Sequence, residues 1–142
     1  MIIGAGKLGV TNAAGNKVDI TDAEIGILDD IIVGMTQVST PASGTNGTQF
    51  VFTNADGVAI ASARTLEAYI SDVNGLPVAA ITSFAALTNG SVDLKIVGKI
   101  YNVMTTAAGL LGITFTGSAA TRYVTFVLPN GLRLISTAIV IN

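Results

Sequence analysis

The N-terminus carries a glycine pattern that could hold a dinucleotide. Gly4, Gly6 and Gly9 follow two isoleucines with the spacing GxGxxG. In nucleotide-binding proteins this spacing joins a strand to a helix whose N-terminus faces a pyrophosphate. Residues 10–16 contain two Asn and one Gly, which disfavour that helix. We therefore expect no cofactor here, and we predict that residues 1–16 form a flexible or turn-forming arm.

Acidic residues could bind a metal, but their spacing does not favour it. Asp29 and Asp30 are neighbours, and neighbours point about 100° apart on a helix and to opposite faces of a strand. Asn54, Asp56 and Asp72 lie in turn-like stretches, and no stretch alternates oxygen ligands with a closing Glu as a calcium loop does. We therefore expect Asp29 and Asp30 to be solvated and Asn54, Asp56 and Asp72 to form turns. None of them is expected to bind a metal.

Catalytic groups are few. The chain has no His and no Cys, so it lacks the commonest general base, the commonest transition-metal ligand and any thiolate or disulfide. Ser, Thr and Lys remain as nucleophiles without a His partner. A carboxylate pair assembled from distant residues, such as Asp19 with Asp93, stays open. We predict that the protein is not an enzyme, and we assign no catalytic residue.

Aromatic side chains would be the contacts of a carbohydrate- or ligand-binding β-module, which is the alternative to a structural role. Most of the five Phe and three Tyr fall at positions typical of a core. Tyr101 and Tyr123 are the two candidate ligand contacts.

The composition favours a protein that covers its surface with other subunits. Charged residues make up 11% of the 142 residues, against about 25% in a typical soluble domain, and subunit interfaces are depleted in Lys, Glu and Asp. A monomer wetted by Thr, Ser, Asn and Gly is the alternative. The net charge of −2 predicts no nucleic-acid partner. No signal peptide or membrane-spanning segment is expected from the sequence.

The most distinct structural signal is a C-terminal hairpin. Residues 122–128 and 132–141 are apolar and β-branched, and Pro129-Asn130-Gly131 joins them as a tight turn. Asn or Asp followed by Gly recurs in the same turn positions at 54–57, 72–75 and 87–90. The turn-forming residues are predicted to be Gly57, Gly75, Gly90, Asn130 and Gly131.

Two segments have helical spacing. Thr21 and Glu24 stand in the capping-box relation ahead of apolar residues, which predicts a helix over about 22–33. Apolar residues from Leu66 to Val73 fall at i, i+3, i+4 and i+7, which predicts a second helix that ends at residues 74–75.

The remaining segments are read as strands and one long loop. Strands are predicted at 48–53, 58–62, 77–82, 91–105 with an interruption at Gly98, and 111–116. Residues 34–47 are rich in Ser, Thr and Gly and predict a mobile loop. The predicted fold is mainly β (α+β): one domain, 1–142, forming an antiparallel β-sandwich or barrel of about seven strands with one or two short helices.

Residues 48–62 and 117–142 combine short Thr/Ala/Val strands with Asn-Gly turns, in a chain without His, Cys or Trp. In this they are similar to small virion proteins of tailed bacteriophages, notably capsid decoration proteins. The resemblance implies a structural protein located in the virion, assembled as a trimer or other homo-oligomer on a capsid or virion lattice protein. Residues 1–16 and 34–47 are the candidate contacts with that lattice.

Overall fold

The computed structural model describes residues 7–11, 14–15, 17–21, 31–78, 83–96 and 99–142. Every regular element in these ranges is a β-strand, which confirms the mainly β fold class. The strands are β1 Lys7–Thr11, β2 Lys17–Thr21, β3 Gly34–Ala42, β4 Thr45–Thr53, β5 Thr65–Ser71, β6 Ser83–Ala86, β7 Ser91–Ile96, β8 Ile100–Met104, β9 Leu110–Thr116, β10 Ala120–Val127, β11 Arg133–Ile135 and β12 Ile139–Ile141.

All strand pairs are antiparallel, and two large sheets carry the fold. The four-stranded sheet has the order β3-β4-β9-β6. The six-stranded sheet has the order β11-β10-β5-β8-β7, with β12 also paired to β10. β1 and β2 form a separate two-stranded sheet. The two large sheets make an open sandwich and not a closed barrel.

Aromatic rings join the two large sheets. Phe126 of β10 packs edge-on between Phe50 and Phe52 of β4, with ring centroids 5.0 and 5.1 Å away. Phe84 of β6 stacks on Tyr101 of β8 at 4.1 Å. Aromatic pairs of this kind contribute about 0.5–1.5 kcal/mol beyond the burial of their area. These contacts hold the inner faces of the two sheets together. They thereby determine which residues of each sheet face outward.

The helix predicted from Leu66 to Val73 is wrong, because this segment contains strand β5. Leu66, Ala68 and Ile70 are buried on one side of the strand, and Tyr69 lies between them on the other. The same apolar letters satisfy a period of two and a period of 3.6. β8 and β10 pair with β5 from both sides, and this pairing decides between the two periods.

The mobile loop predicted over 34–47 is also wrong. β3 pairs with β4 without interruption from Gly34↔Thr53 to Ala42↔Thr45, and the two strands form a hairpin. The apolar alternation that normally signals a strand is weak here, because the inward residues Gln37 and Ser39 are polar and form hydrogen bonds inside the sandwich.

Three other predicted strands differ in detail. Residues 91–105 are not one strand but the hairpin of β7 and β8. Its register shifts between Leu94 and Ile96, and Gly98 lies outside the described residues. Residues 58–62 and 77–78 contribute only the isolated bridges Thr53↔Ala59 and Ser71↔Pro77, and residues 79–82 lie outside the described part of the chain.

The predicted C-terminal hairpin is present, with its second strand divided. β11 and β12 both pair with β10, with Thr125 opposite Ile135 and Arg122 opposite Ile139. Between these pairs, residues 123–124 face residues 136–138, so the second strand carries one extra residue, as in a β-bulge. The N–H and C=O of Val124 bond to Ser136 at this point. The shift leaves Ile139 and Ile141 buried.

Only part of the predicted N-terminal arm can be compared. Residues 7–11 are strand β1, paired with β2 from Lys7↔Thr21 to Thr11↔Lys17. The third glycine of the GxGxxG pattern, Gly9, lies inside this strand and does not open a helix. Residues 1–6, 12–13 and 16 of the arm, and residues 22–30 of the predicted helix over 22–33, lie outside the described residues.

Candidate assembly surface

The four-stranded sheet has an outer face without charge. In β4 the inward residues, such as Phe50 and Phe52, alternate with outward ones such as Gln49 and Val51. No residue of β3, β4, β6 or β9 is charged. We call the outward residues of three of these strands, with the side chain that covers them, the uncharged face: Thr36, Val38, Thr40, Gly47, Gln49, Val51, Gly112, Thr114 and Leu87.

Apolar and hydroxyl groups reach solvent on the uncharged face. Val38 is 70% exposed and Leu87 is 44% exposed. Leu87 lies over two glycines, so that a Cβ added at Gly112 would come within 3.2 Å of the Leu87 Cβ and one at Gly47 within 3.5 Å of its Cδ2. A shallow groove of about 490 Å³ separates this side chain from β3.

The outer face of the six-stranded sheet is charged by contrast. The strand registers place Arg133, Val127, Glu67, Asn102 and Asp93 in one row across five strands. We call the outward residues of β5, β7, β8, β10 and β11 the charged face.

Side chains on the charged face bond to one another. The Lys95 Nζ lies 2.5 Å from the Glu67 Oε2. The Tyr69 hydroxyl donates to the Gly75 carbonyl at 2.9 Å. A groove of about 620 Å³ with Lys99 and Arg133 in its wall adjoins Tyr69.

The inward polar side chains of the four-stranded sheet form hydrogen bonds with the C-terminal segment and with one another. The buried Asn46 donates from Nδ2 to the Val140 carbonyl at 2.7 Å and accepts from the Thr48 hydroxyl at 2.9 Å. Gln37 receives the Thr137 N–H at 3.0 Å, and the Gly44 N–H bonds to the Asn142 carbonyl at 2.6 Å. These bonds fasten the C-terminal segment to β3 and β4.

The predicted turn glycines all have positive φ: Gly57, Gly75, Gly90 and Gly131. In the turn 54–58, the Gly57 N–H bonds to the Asn54 carbonyl, and the Asn54 side chain accepts from Asp56 and Val58. The turn 72–76 repeats this arrangement with Asp72. Two of the three side chains considered for calcium, Asn54 and Asp72, therefore hold turns, and Asp56 contributes its backbone N–H to the first turn.

Two other turns have similar hydrogen bonds. In the turn 128–132, the Gly131 N–H bonds to the Leu128 carbonyl, and Asn130 accepts from the Leu132 N–H. Residues 106–110 form a further turn of the first kind, with Thr106 in the place of Asn54. This turn could not be predicted from the sequence, because Thr106-Ala107-Ala108-Gly109 lacks an Asn or Asp before the glycine.

The two candidate ligand contacts differ in exposure. Tyr101 is only 5% exposed and stacks on Phe84, so its ring belongs to the core and is not a surface platform. Burial raises the pKa of the Tyr101 phenol above its usual value of 10.0. Tyr123 is half-buried in β10, opposite Ser71. The structure does not bring the two rings to one exposed patch.

The acids considered for chemistry belong to separate elements. Asp19 lies in β2 and Asp93 in β7, which belong to separate sheets. Asp29 and Asp30 lie outside the described residues. Within the described ranges no group of three or more His, Cys, Asp or Glu side chains could hold a metal ion.

Sequence reasoning did not find the uncharged face, although the sequence carries a signal for it. No charged residue occurs in 31–55, 73–92 or 100–121. These three stretches contain all four strands of the four-stranded sheet, along with β8 of the other sheet. Charge-free stretches that are distant in the chain thus meet on one surface.

Comparisons add no relative from which a role could be carried over. In the part of the chain that the structure describes, no helix is long and apolar enough to cross a membrane. Neither a protein-family model, nor a curated protein, nor a solved structure matches this chain.

Proposed function

We propose that the protein is a non-enzymatic structural subunit, a virion component of the capsid-decoration type. It acts through contacts with copies of itself and with a capsid or virion lattice protein. The observation that carries the proposal is the uncharged face. None of the four strands of this sheet contains a charged residue, whereas the outer face of the other sheet has several.

Interface physics supports this assignment. The centres of protein interfaces are depleted in charged residues, because a charge buried there loses its hydration. A surface that contacts only water would not be expected to lack charged residues. Val38 and Leu87 offer apolar area on the uncharged face, while its Thr and Gln side chains offer hydrogen bonds.

The capsid part of the proposal has a different basis. It rests on the resemblance of residues 48–62 and 117–142 to small virion proteins of tailed phages. A sandwich with two different outer faces suits a lattice of repeated subunits, since the uncharged face can contact the lattice while the charged face remains in water.

The first experiment measures association. Light scattering of the purified chain at sub-micromolar concentration is expected to show a stable homo-oligomer. A compact monomer at every concentration would remove the basis of the proposal.

A matched pair of variants then tests the face itself. Gln49→Lys places a charge within the uncharged face, and Asn102→Lys places the same charge within the charged face, between Glu67 and Asp93. Gln49→Lys is expected to weaken association at least tenfold, which corresponds to about 1.4 kcal/mol, and Asn102→Lys to leave it unchanged. Equal effects of the two variants would contradict the assignment of the uncharged face.

A further inference from the structure

The uncharged face ends at strand β3, which is an edge of the four-stranded sheet. β3 is nine residues long and pairs with β4 along its whole length. On its other side, no backbone group of β3 has a hydrogen bond to any described residue. An edge strand of this kind presents a row of unpaired N–H and C=O groups, which is a template for another strand.

The other edges of the two large sheets are protected. β7 carries Asp93 and Lys95 and has an irregular register after Leu94. β11 and β12 have three residues each, and β6 has four. Natural proteins blunt sheet edges with short strands, charges and bulges. β3 is long and regular and has no charged residue; proline also protects sheet edges, and Pro41, near the end of β3, is the one such protection that it carries.

Pro41 shows which backbone groups are free. Alternate residues of an antiparallel strand direct their N–H and C=O to the same side. A proline in an edge strand takes a position where an N–H would point away from the neighbouring strand. Ser39 and Gln37 are in phase with Pro41, so their N–H and C=O groups point to the open side of β3.

The sequence of β3 is nearly symmetric about Val38. It reads Thr36-Gln37-Val38-Ser39-Thr40, so a second copy of β3 can pair antiparallel about a two-fold axis at Val38. This register places Val38 opposite itself, Thr36 opposite Thr40, and Gln37 opposite Ser39 of the second copy. No like charges meet, and the same patch serves both subunits, as a two-fold contact requires.

The backbone directions agree with this register. With Val38 opposite itself in a pair without direct hydrogen bonds, the adjacent Gln37 and Ser39 must exchange both N–H···O bonds across the axis. Those are the residues whose backbone groups have no partner among the described residues. Pro41 then ends the ladder, because it has no N–H to donate.

We infer that two copies of this chain dimerise by antiparallel pairing of β3 with β3, in register about Val38. The inference rests on the proposed function, since it names one of the contacts through which copies of the subunit meet. The pairing joins the two four-stranded sheets into one continuous sheet. It thereby joins two uncharged faces into one surface, through which such dimers contact further copies and the lattice partner.

Cysteine cross-linking tests the register directly, because the chain contains no native Cys. Residues opposite each other in a pair without hydrogen bonds have Cα atoms about 4.5 Å apart, within the range of a disulfide. Val38→Cys is expected to give a covalent dimer in high yield under mild oxidation at sub-micromolar concentration. Val58→Cys, at a residue of similar exposure (60% against 70% for Val38), is the control for random collision and is expected to give little.

A mixing experiment fixes the register further. Thr36→Cys and Thr40→Cys are each expected to cross-link poorly alone, since each lies opposite the other residue and not itself. A mixture of the two variants is expected to cross-link well. Equal yields for Val38→Cys and Val58→Cys, or no gain on mixing, would overturn the β3 pairing.

A charge variant supplies a readout without oxidation. Val38→Lys brings two ammonium groups together at the axis and is expected to raise the dimer dissociation constant at least tenfold, while Val58→Lys leaves it unchanged. If the chain associates and Gln49→Lys weakens association, but Val38→Cys fails to cross-link, the proposed function stands and the β3 pairing falls. If Val38→Cys cross-links but Gln49→Lys has no effect, the pairing stands and the role of the uncharged face falls.

Discussion

The two outer faces of the sandwich differ in where their polar groups find partners. On the charged face, side chains bond to groups on the same side of the sheet: Lys95 to Glu67, the Tyr69 hydroxyl to the Gly75 carbonyl, and the Thr125 hydroxyl to Ser71 at 2.9 Å. On the uncharged face, the side chains of Thr36, Thr40, Gln49 and Thr114 have no hydrogen bond to any described residue. The polar bonds of that sheet lie on its inner side.

This difference shows how the sheets divide their tasks. The charged face bonds several of its polar groups within the subunit and keeps full charges in water, as a solvent-facing surface does. The polar groups of the uncharged face are neutral and have no hydrogen-bond partner among the described residues. Covering them costs less desolvation free energy than covering charged groups would. The uncharged face can therefore be covered at low cost, which is what an assembly surface requires.

The largest effect is expected from the inner polar bonds that support the uncharged face. Asn46→Ala removes two buried hydrogen bonds: the Val140 carbonyl loses the Asn46 amide, and the Thr48 hydroxyl keeps only Ser39 as its partner. A buried group that loses its partner costs about 1–3 kcal/mol. We expect a loss of about 2–3 kcal/mol in the free energy of unfolding, measured by urea titration.

Thr114→Ala is the matched control for Asn46→Ala, since it removes a polar group from the outer side of the same sheet. It is expected to change the free energy of unfolding by less than about 0.5 kcal/mol. A comparable loss in both variants would show that the outer hydroxyls also stabilise the subunit, and the contrast between the two sides of the sheet would disappear.

A smaller effect is expected from the bonds that brace the charged face. Tyr69→Phe removes the hydrogen bond to the Gly75 carbonyl and keeps the ring, so we expect a loss of about 1 kcal/mol in unfolding free energy. Light scattering is expected to show unchanged association. Weakened association would mean that the charged face is itself a contact surface.

The sequence predicted the turns well, because turn chemistry is local. An Asn or Asp side chain within each turn accepts from backbone N–H groups of the same few residues: Asn54, Asp72 and Asn130. Gly57, Gly75 and Gly131 supply the positive φ of these turns. The hairpin at residues 122–141 follows from such a turn between two apolar runs. The extra residue near Ser136 could not be predicted, because it depends on how β12 reaches β4.

The secondary-structure predictions that were wrong concern segments whose conformation depends on contacts with distant parts of the chain. β5 resembles a helix by its spacing, and only its pairing with β8 and β10 makes it a strand. β3 resembles a loop because its inward residues are polar, and their partners, Thr48 and Thr137, lie elsewhere in the chain. The low overall charge was visible in the composition. Its concentration on one sheet required the topology, which brings 31–55, 73–92 and 100–121 together.

The smallest effect is expected from the ion pair on the charged face. The side chains of Lys95 and Glu67 are 50% and 34% exposed, and ion pairs exposed to this degree contribute at most about 1 kcal/mol, less as salt rises. Lys95→Met is therefore expected to lower the unfolding free energy by less than about 1 kcal/mol at low salt and to have no measurable effect at high salt.

The same substitution has a second readout, because Lys95 protects the edge strand β7. A charge on an edge strand opposes pairing with another chain, so Lys95→Met combined with Asp93→Ser would leave β7 as free of charge as β3 is. If charge alone distinguishes the two edges, light scattering of this double variant will show association beyond the wild-type oligomer. If the short, irregular β7 remains unpaired, length and regularity must matter more than charge, and the nine regular residues of β3 become the feature that selects it as the contact edge.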